Sequence, residues 1–218
     1  MSDQIDPPVL VFNPDYFCTQ FEKCAQTGEI DLAEFIQGYE GLVLLLNRLG
    51  SVFTFITVDI VSKLGLLRER RQTNLDGYIS LAEMMRTENG QTSTTKKPSK
   101  TNPPTGTRQY QLLQRAMKML YLFMRKIANN DCDGKVSQMA YEAYNESPLP
   151  NFHPWILRNG VKIAVYTLPY RPDFFKIAAP ELSEAEIVSY LERACVAMED
   201  IFNRSNVMYE KAGLLNLP

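Results

Sequence analysis

Asp31-Leu-Ala-Glu-Phe35-Ile-Gln-Gly-Tyr39-Glu-Gly-Leu42-Val43-Leu-Leu-Leu46-Asn-Arg-Leu49 holds a helix start and a helix face in one stretch. Asp31 can accept from the free N–H groups of a first turn. Phe35, Tyr39, Leu42, Val43, Leu46 and Leu49 then recur at the three- and four-residue spacing of a buried helical stripe. The same punctuation appears on both sides. Upstream, Asn13-Pro14 reads as N-cap and first helical residue, opening a helix with Tyr16, Phe17, Phe21 and Cys24 that stops near Gly28. Downstream, Phe53 to about Leu67 is apolar over most of its surface, which predicts a largely buried helix whose Asp59 and Lys63 need an explanation. A shorter helix follows from about Leu75 to Arg86. Residues 87–107, rich in Thr, Ser, Asn, Pro and Lys, are too polar to pack and predict a long mobile loop within a domain. Further helices are expected at about Arg108 to Ala128, Lys135 to Glu146, Pro154 to Tyr166 and Arg171 to Ala178. Ser183-Glu184-Ala185-Glu186 is a capping box for a final long helix ending near Gly213. Alternating strand-like runs are scarce, so the fold class is all-α. With 218 residues, 45% of them hydrophobic, the chain suits one domain over 1–218.

Composition narrows the function classes. A formal charge of -2 argues against a nucleic-acid binder and requires any anionic partner to be met by a local basic patch. Cys18, Cys24, Cys132 and Cys195 show neither CxxC spacing nor a neighbouring His, so no metal site is expected, and they read as thiols of a reducing compartment. The acidic, Pro-containing N-terminus is unlike a signal peptide and no apolar run reaches membrane-span length, which points to the cytoplasm. Three segments resemble calcium loops: Gln72 to Glu83 lacks the first carboxylate, Asn129 to Ala140 lacks the final Glu, and Gly28 to Glu34 keeps only the back half. Asp-Gly and Asn-rich turns account for them as well. No G-x-S-x-G elbow, phosphate-binding Gly-rich loop or pair of metal-ligating histidines is present, so neither catalytic residues nor a cofactor are expected.

The single histidine, His153, stands in Asn151-Phe152-His153-Pro154-Trp155, ahead of a basic stretch from Arg158 to Lys162. Thr107-Arg108, then Leu113-x-Arg115-Ala116 and Leu120-Tyr121-Leu122-Phe123, then His153-Pro154-Trp155, Thr167-Leu168-Pro169, Tyr209 and Leu214-Leu215-Asn216-Leu217-Pro218 follow in an order and spacing that resemble the glycolipid-transfer-protein superfamily, in its ceramide-1-phosphate branch. The resemblance covers nearly the whole chain. It implies a two-layer helical sandwich that sheathes the chains of a sphingolipid in an apolar pocket, recognises the headgroup at the surface and catalyses nothing.

Each residue the resemblance singles out has a physical reason to serve. Asp59 can accept from both the amide N–H and the hydroxyl of a sphingoid base, a two-donor pattern that glycerolipids lack, and His153 can donate to the amide carbonyl. Lys63 and Arg108 would bind a headgroup phosphate, and Arg115, seven residues after Arg108 on the same helix face, would hold the site in place. Taken singly, Asp59 and Lys63 read equally well as an ordinary i,i+4 pair worth about 0.2–0.5 kcal/mol. Leu112 departs from the family, which carries there a sugar-stacking Trp or a second phosphate Arg. Sugar headgroups therefore rank low. Lys63 and Arg108 against Asp59 leave about one net positive charge, whereas a phosphomonoester carries about -1.5 to -2. Phosphodiesters such as ceramide phosphoethanolamine or sphingomyelin thus run close behind ceramide-1-phosphate. A sphingolipid sensor and a calcium-binding interaction protein are the other readings.

Trp155 resembles the family's membrane-docking tryptophan, with Arg158 and Lys162 recurring on the helix behind it; a packing Trp is the alternative. Lys96, Lys97 and Lys100 would add attraction to an anionic or phosphoinositide-containing membrane, each worth about 1 kcal/mol near the surface. A monomer with transient, peripheral membrane contact is expected.

Overall fold

The computed structural model describes residues 11–26, 28–89, 98–99 and 103–217. Helix α1 (Pro14–Gln26) starts where Asn13 Oδ1 accepts from the Tyr16 amide at 3.1 Å. Helix α2 (Leu32–Leu49) is capped by Asp31 Oδ1, 2.7 Å from Ala33 N and 3.0 Å from Glu34 N. The two pack so closely that a Cβ on Gly38 would lie 2.7 Å from the Phe21 ring. Gly50 then turns the chain with φ 113°, a conformation that side chains rarely adopt. There follow α3 (Thr54–Thr73), α4 (Leu81–Thr87), α5 (Gly106–Ala128), α6 (Val136–Glu146) and the single turn α7 (Leu149–Phe152). The chain closes with α8 (Trp155–Tyr166), α9 (Arg171–Ala178) and α10 (Glu184–Lys211), the last begun by the expected Ser183–Glu186 capping box. Among the described residues there is no strand; isolated bridges join Asp31 to Ser80 and Lys135 to Tyr170.

The helices form a two-layer sandwich with α5 at its centre, in contact with α10, α6 and α3, while α2 packs on α1 and α3. The largest core cluster joins α1, α2, α5 and α10 through neighbouring rings, Phe17 to Phe21 to Tyr39 to Phe35 to Tyr110 to Tyr209. Three of these are tyrosines, whose buried hydroxyls must find partners. Tyr39 donates to Leu113 O, Tyr209 to Thr107 O, and Tyr110 bonds the Ser205 hydroxyl. A smaller cluster sits under α6, α7 and α8.

Three expectations are corrected. Helix α3 is not largely buried: Thr57, Ile60, Leu64 and Leu67 face inward, but Phe55, Val58 and Val61 are exposed. It packs on α2 and α5 along one side, so its surplus apolar surface faces outward or onto a cavity. The helix expected from Leu75 divides, because α3 runs on to Thr73 and Ser80, accepting from Glu83 N, caps a separate α4. The polar stretch 87–107 does pack at its ends. Glu88 is buried, and its carboxylate accepts from Gly106 N and Thr107 N at 2.7 Å each and from the Tyr78 hydroxyl at 2.8 Å. It meets the first turn of α5, where free amides and the helix dipole favour an anion. The central helix accordingly starts at Gly106, capped by Thr105, two residues before Arg108. Lys96, Lys97 and Lys100 lie outside the described residues.

Candidate functional site

His153 occupies a break that its neighbour imposes. Pro154 disfavours helical geometry in the residue before it, and His153 takes φ -82°, ψ 128° between α7 and α8 while its own amide still closes α7 on Leu149 O at 2.9 Å. Its ring turns inward. Nδ1 lies 3.0 Å from the Tyr144 hydroxyl, and with the phenol as donor the remaining ring proton sits on Nε2. Burial pushes the imidazole below its ordinary pKa, Asp59 opposes the shift and Lys63 reinforces it.

Those two charges belong to α3. Lys63 is anchored beside Asp59 one turn earlier and is largely covered, whereas the Asp59 side chain is 66% exposed. Both line the mouth of a cavity of about 550 Å³ that runs inward between α2, α3, α5, α7 and α8 over Leu42, Leu46, Ile60, Met119, Phe123 and Val161. The walls are overwhelmingly apolar. The charged and titratable groups of the lining include Asp59, Lys63, Arg115 and His153, the first two near the imidazole and Arg115 stacked on the adjoining Phe152.

The central helix supplies the rest. Leu112 lines the cavity, as does Arg115, which is 4% exposed. Arg115 makes no ion pair with any described residue; its Nη2 donates to Gln111 Oε1, Leu215 O and Leu217 O, and its guanidinium carbon stands 3.5 Å from the centre of the Phe152 ring. Burial, reinforced by the neighbouring Arg108, pushes its pKa down to about 10. Arg108 is placed differently from the other expected residues. It lies one turn before Leu112, off the cavity wall, 6% exposed, with Nη1 buried and unpartnered among the described residues. Among the described residues, two neighbouring guanidiniums are thus buried without a carboxylate, a costly arrangement unless an anion completes it.

Trp155 is 71% exposed, with Ile156 and Ile163 open on the same helix. Arg158 and Lys162 are exposed too, Lys162 standing 5.7 Å from the Tyr141 ring. Trp155 is therefore not a packing residue. Tyr144, Phe152 and residues 214–217 were not identified as site residues in the sequence. Phe152 had a signal, its place beside His153; Tyr144 had none, because only the fold brings it to the imidazole. Among the described residues no three or more His, Cys, Asp or Glu side chains gather to hold a metal ion.

The buried imidazole has a pH consequence. Its folded pKa lies below the unfolded value near 6.5, so folding favours the neutral form. This stability is fully present above about pH 6.5 and is lost as pH falls through the lower folded pKa. An NMR titration of the lone imidazole is expected to give a midpoint below that of free histidine, and the acid-side loss of stability to shrink in His153→Asn. A midpoint at or above the free value contradicts this placement.

Residues 30–180 match the family model described as glycolipid transfer protein. The ceramide-1-phosphate transfer protein of Mus musculus is 34% identical over 211 residues, 95% of this chain and 97% of that protein. That of Homo sapiens is 32% identical over 212 residues, with the same coverage. The crystal structure of the human protein in complex with 12:0 ceramide-1-phosphate superposes with a TM-score of 0.85 at 31% identity, covering 95% of this chain and all of that one.

Proposed function

The chain belongs to the glycolipid transfer protein family, and from that premise we propose that it carries ceramide-1-phosphate between membranes without altering it. The observation that carries the reading is the cavity itself, with walls overwhelmingly apolar and Asp59, Lys63, Arg115 and His153 among its lining. The pocket volume falls within the usual range for small-molecule sites. Asp59 accepts from the sphingoid amide and hydroxyl, and the Nε2 proton of His153 donates to the amide carbonyl. Lys63 and Arg115 face the phosphate from the cavity wall, and Arg108, buried off that wall near Arg115, adds its charge to theirs. The chain acts as one domain and as a monomer in the cytoplasm, with Trp155, Ile156, Arg158 and Lys162 resting transiently on an anionic membrane.

Headgroup choice follows from charge. Counted from Lys63, Arg108 and Asp59 alone, the site favours a singly charged phosphodiester. Arg115, buried beside the cavity with carbonyl and amide partners among the described residues, adds a second positive charge that those partners do not neutralise. The total then suits a phosphomonoester of about -1.5 to -2, despite Leu112. Leu112→Arg is expected to raise the preference for ceramide-1-phosphate over sphingomyelin several-fold in a vesicle transfer assay. An unchanged ratio places this position away from the headgroup.

Native mass spectrometry of the purified protein tests the reading. A copurifying phosphosphingolipid supports it, and a bound glycerophospholipid or glycolipid in its place rejects it.

A further inference from the structure

We propose that residues 214–217 are a positioning element of the headgroup site, holding Arg115 against Phe152 and thereby fixing His153; the proposal rests on the carrier reading above. After α10 the chain turns at Gly213, φ 69°, and Leu214 N closes back on Tyr209 O at 2.8 Å. The segment then runs along α5 with its carbonyls toward that helix. Gln111 Nε2 donates to Leu214 O, and Arg115 Nη2 to Leu215 O and Leu217 O, both at 3.0 Å. Gln111 Oε1 accepts from the same Nη2 at 2.9 Å, so one residue of α5 grips both the tail and the guanidinium. Buried Leu217 pins the segment to the main core.

The chemistry of this grip is specific. A carboxylate in the place of these carbonyls would orient Arg115 equally well but would cancel its charge. Neutral carbonyls fix its direction and leave the cation available to an anion in the cavity. The flat face of the guanidinium covers Phe152, the last residue of α7, and Phe152 and His153 both line the cavity. A loosened Arg115 would remove the lid from Phe152 and the restraint on the adjoining break, where the imidazole is otherwise held through Tyr144. Tail, Arg115, Phe152 and His153 are therefore one mechanical chain, reaching from the segment after α10 to the atom that meets the lipid amide.

The test compares transfer of ceramide-1-phosphate and of phosphatidic acid between vesicles, a ratio that reads amide recognition, with thermal unfolding followed in parallel. A chain shortened to end at Gly213 is expected to lose about ten-fold in that ratio. Leu217→Ala, which removes packing but keeps the backbone carbonyl, should lower the unfolding temperature and leave most of the ratio intact. In an Arg115→Lys background, which keeps charge but not the planar fork, the shortening should add little, because the two changes break the same linkage. Phe152→Leu spares the tail and should lower the ratio too, so the proposal stays testable even where the shortened chain does not fold. An unchanged ratio in Phe152→Leu, or a loss in Leu217→Ala equal to that of the shortened chain, overturns it. A wild type with no preference for ceramide-1-phosphate rejects the carrier reading itself, and this proposal with it.

Discussion

Asp59→Val is expected to abolish intermembrane transfer of ceramide-1-phosphate in a protein that still folds. The two consequences separate because Asp59 does little for the fold and, in the proposed site, much for the ligand. Its side chain is largely exposed and, among the described residues, its one ion pair is with Lys63, four residues on along the same helix. Such pairs contribute about 0.2–0.5 kcal/mol, and a β-branched residue on a helix surface costs a few tenths more. Toward the sphingoid base, by contrast, the proposed role has the carboxylate accept two hydrogen bonds, each worth about 1.5–3 kcal/mol when one partner is charged. Losing both reduces binding by at least about a hundred-fold. Circular dichroism and a melting curve close to wild type, together with transfer at the background rate, is the expected pair of results. Transfer within a few-fold of wild type removes Asp59 from the site.

Arg108→Met is expected to lose lipid and gain stability. The guanidinium is buried, Nη1 has no partner among the described residues, and burial pushes its pKa below the ordinary value. A cation whose folded pKa is depressed opposes folding at every pH below that pKa, which covers the whole working range. An apolar side chain of similar length relieves that cost, and buried charges replaced in this way can stabilise by about 1 kcal/mol or more. On the proposed reading the same change also removes a charge that serves the phosphate, with an expected loss of roughly ten- to hundred-fold for any phosphate-bearing sphingolipid and little for a neutral one. Denaturant midpoints and paired transfer assays with ceramide-1-phosphate and galactosylceramide read both effects. A variant that is less stable and keeps its headgroup ratio shows that Arg108 is a structural residue alone.

The fold was legible wherever a local rule decides the backbone. Asn13, Asp31 and Ser183 cap the helices they were expected to cap, and the stripe from Phe35 to Leu49 is one face of α2. Helix α3 misled because apolar residues that face a cavity or the exterior have the same composition as those that face a core; only its packing on α2 and α5 separates the two. Glu88 was invisible for a related reason, since nothing in a polar run marks the one carboxylate that will reach across to Gly106 and Thr107. In the site, Asp59, Lys63, Arg115, Leu112 and His153 come from three separate stretches and share one cavity. Their charge balance could not be read from the sequence. Whether Arg115 counts toward the headgroup depends on its finding carbonyls instead of a carboxylate, and those carbonyls lie a hundred residues away.

The central claim is that one end of an apolar cavity recognises a phosphorylated sphingoid amide. It is tested most directly by wild-type transfer, between vesicles, of ceramide-1-phosphate and of phosphatidic acid with matched acyl chains. Both lipids present a phosphomonoester, so the phosphate-facing cations see equivalent ligands, and only the former offers the amide and hydroxyl to Asp59 and His153. With two to three hydrogen bonds at stake, ceramide-1-phosphate is expected to move at least about a hundred-fold faster. Equal rates for the two lipids would contradict the account.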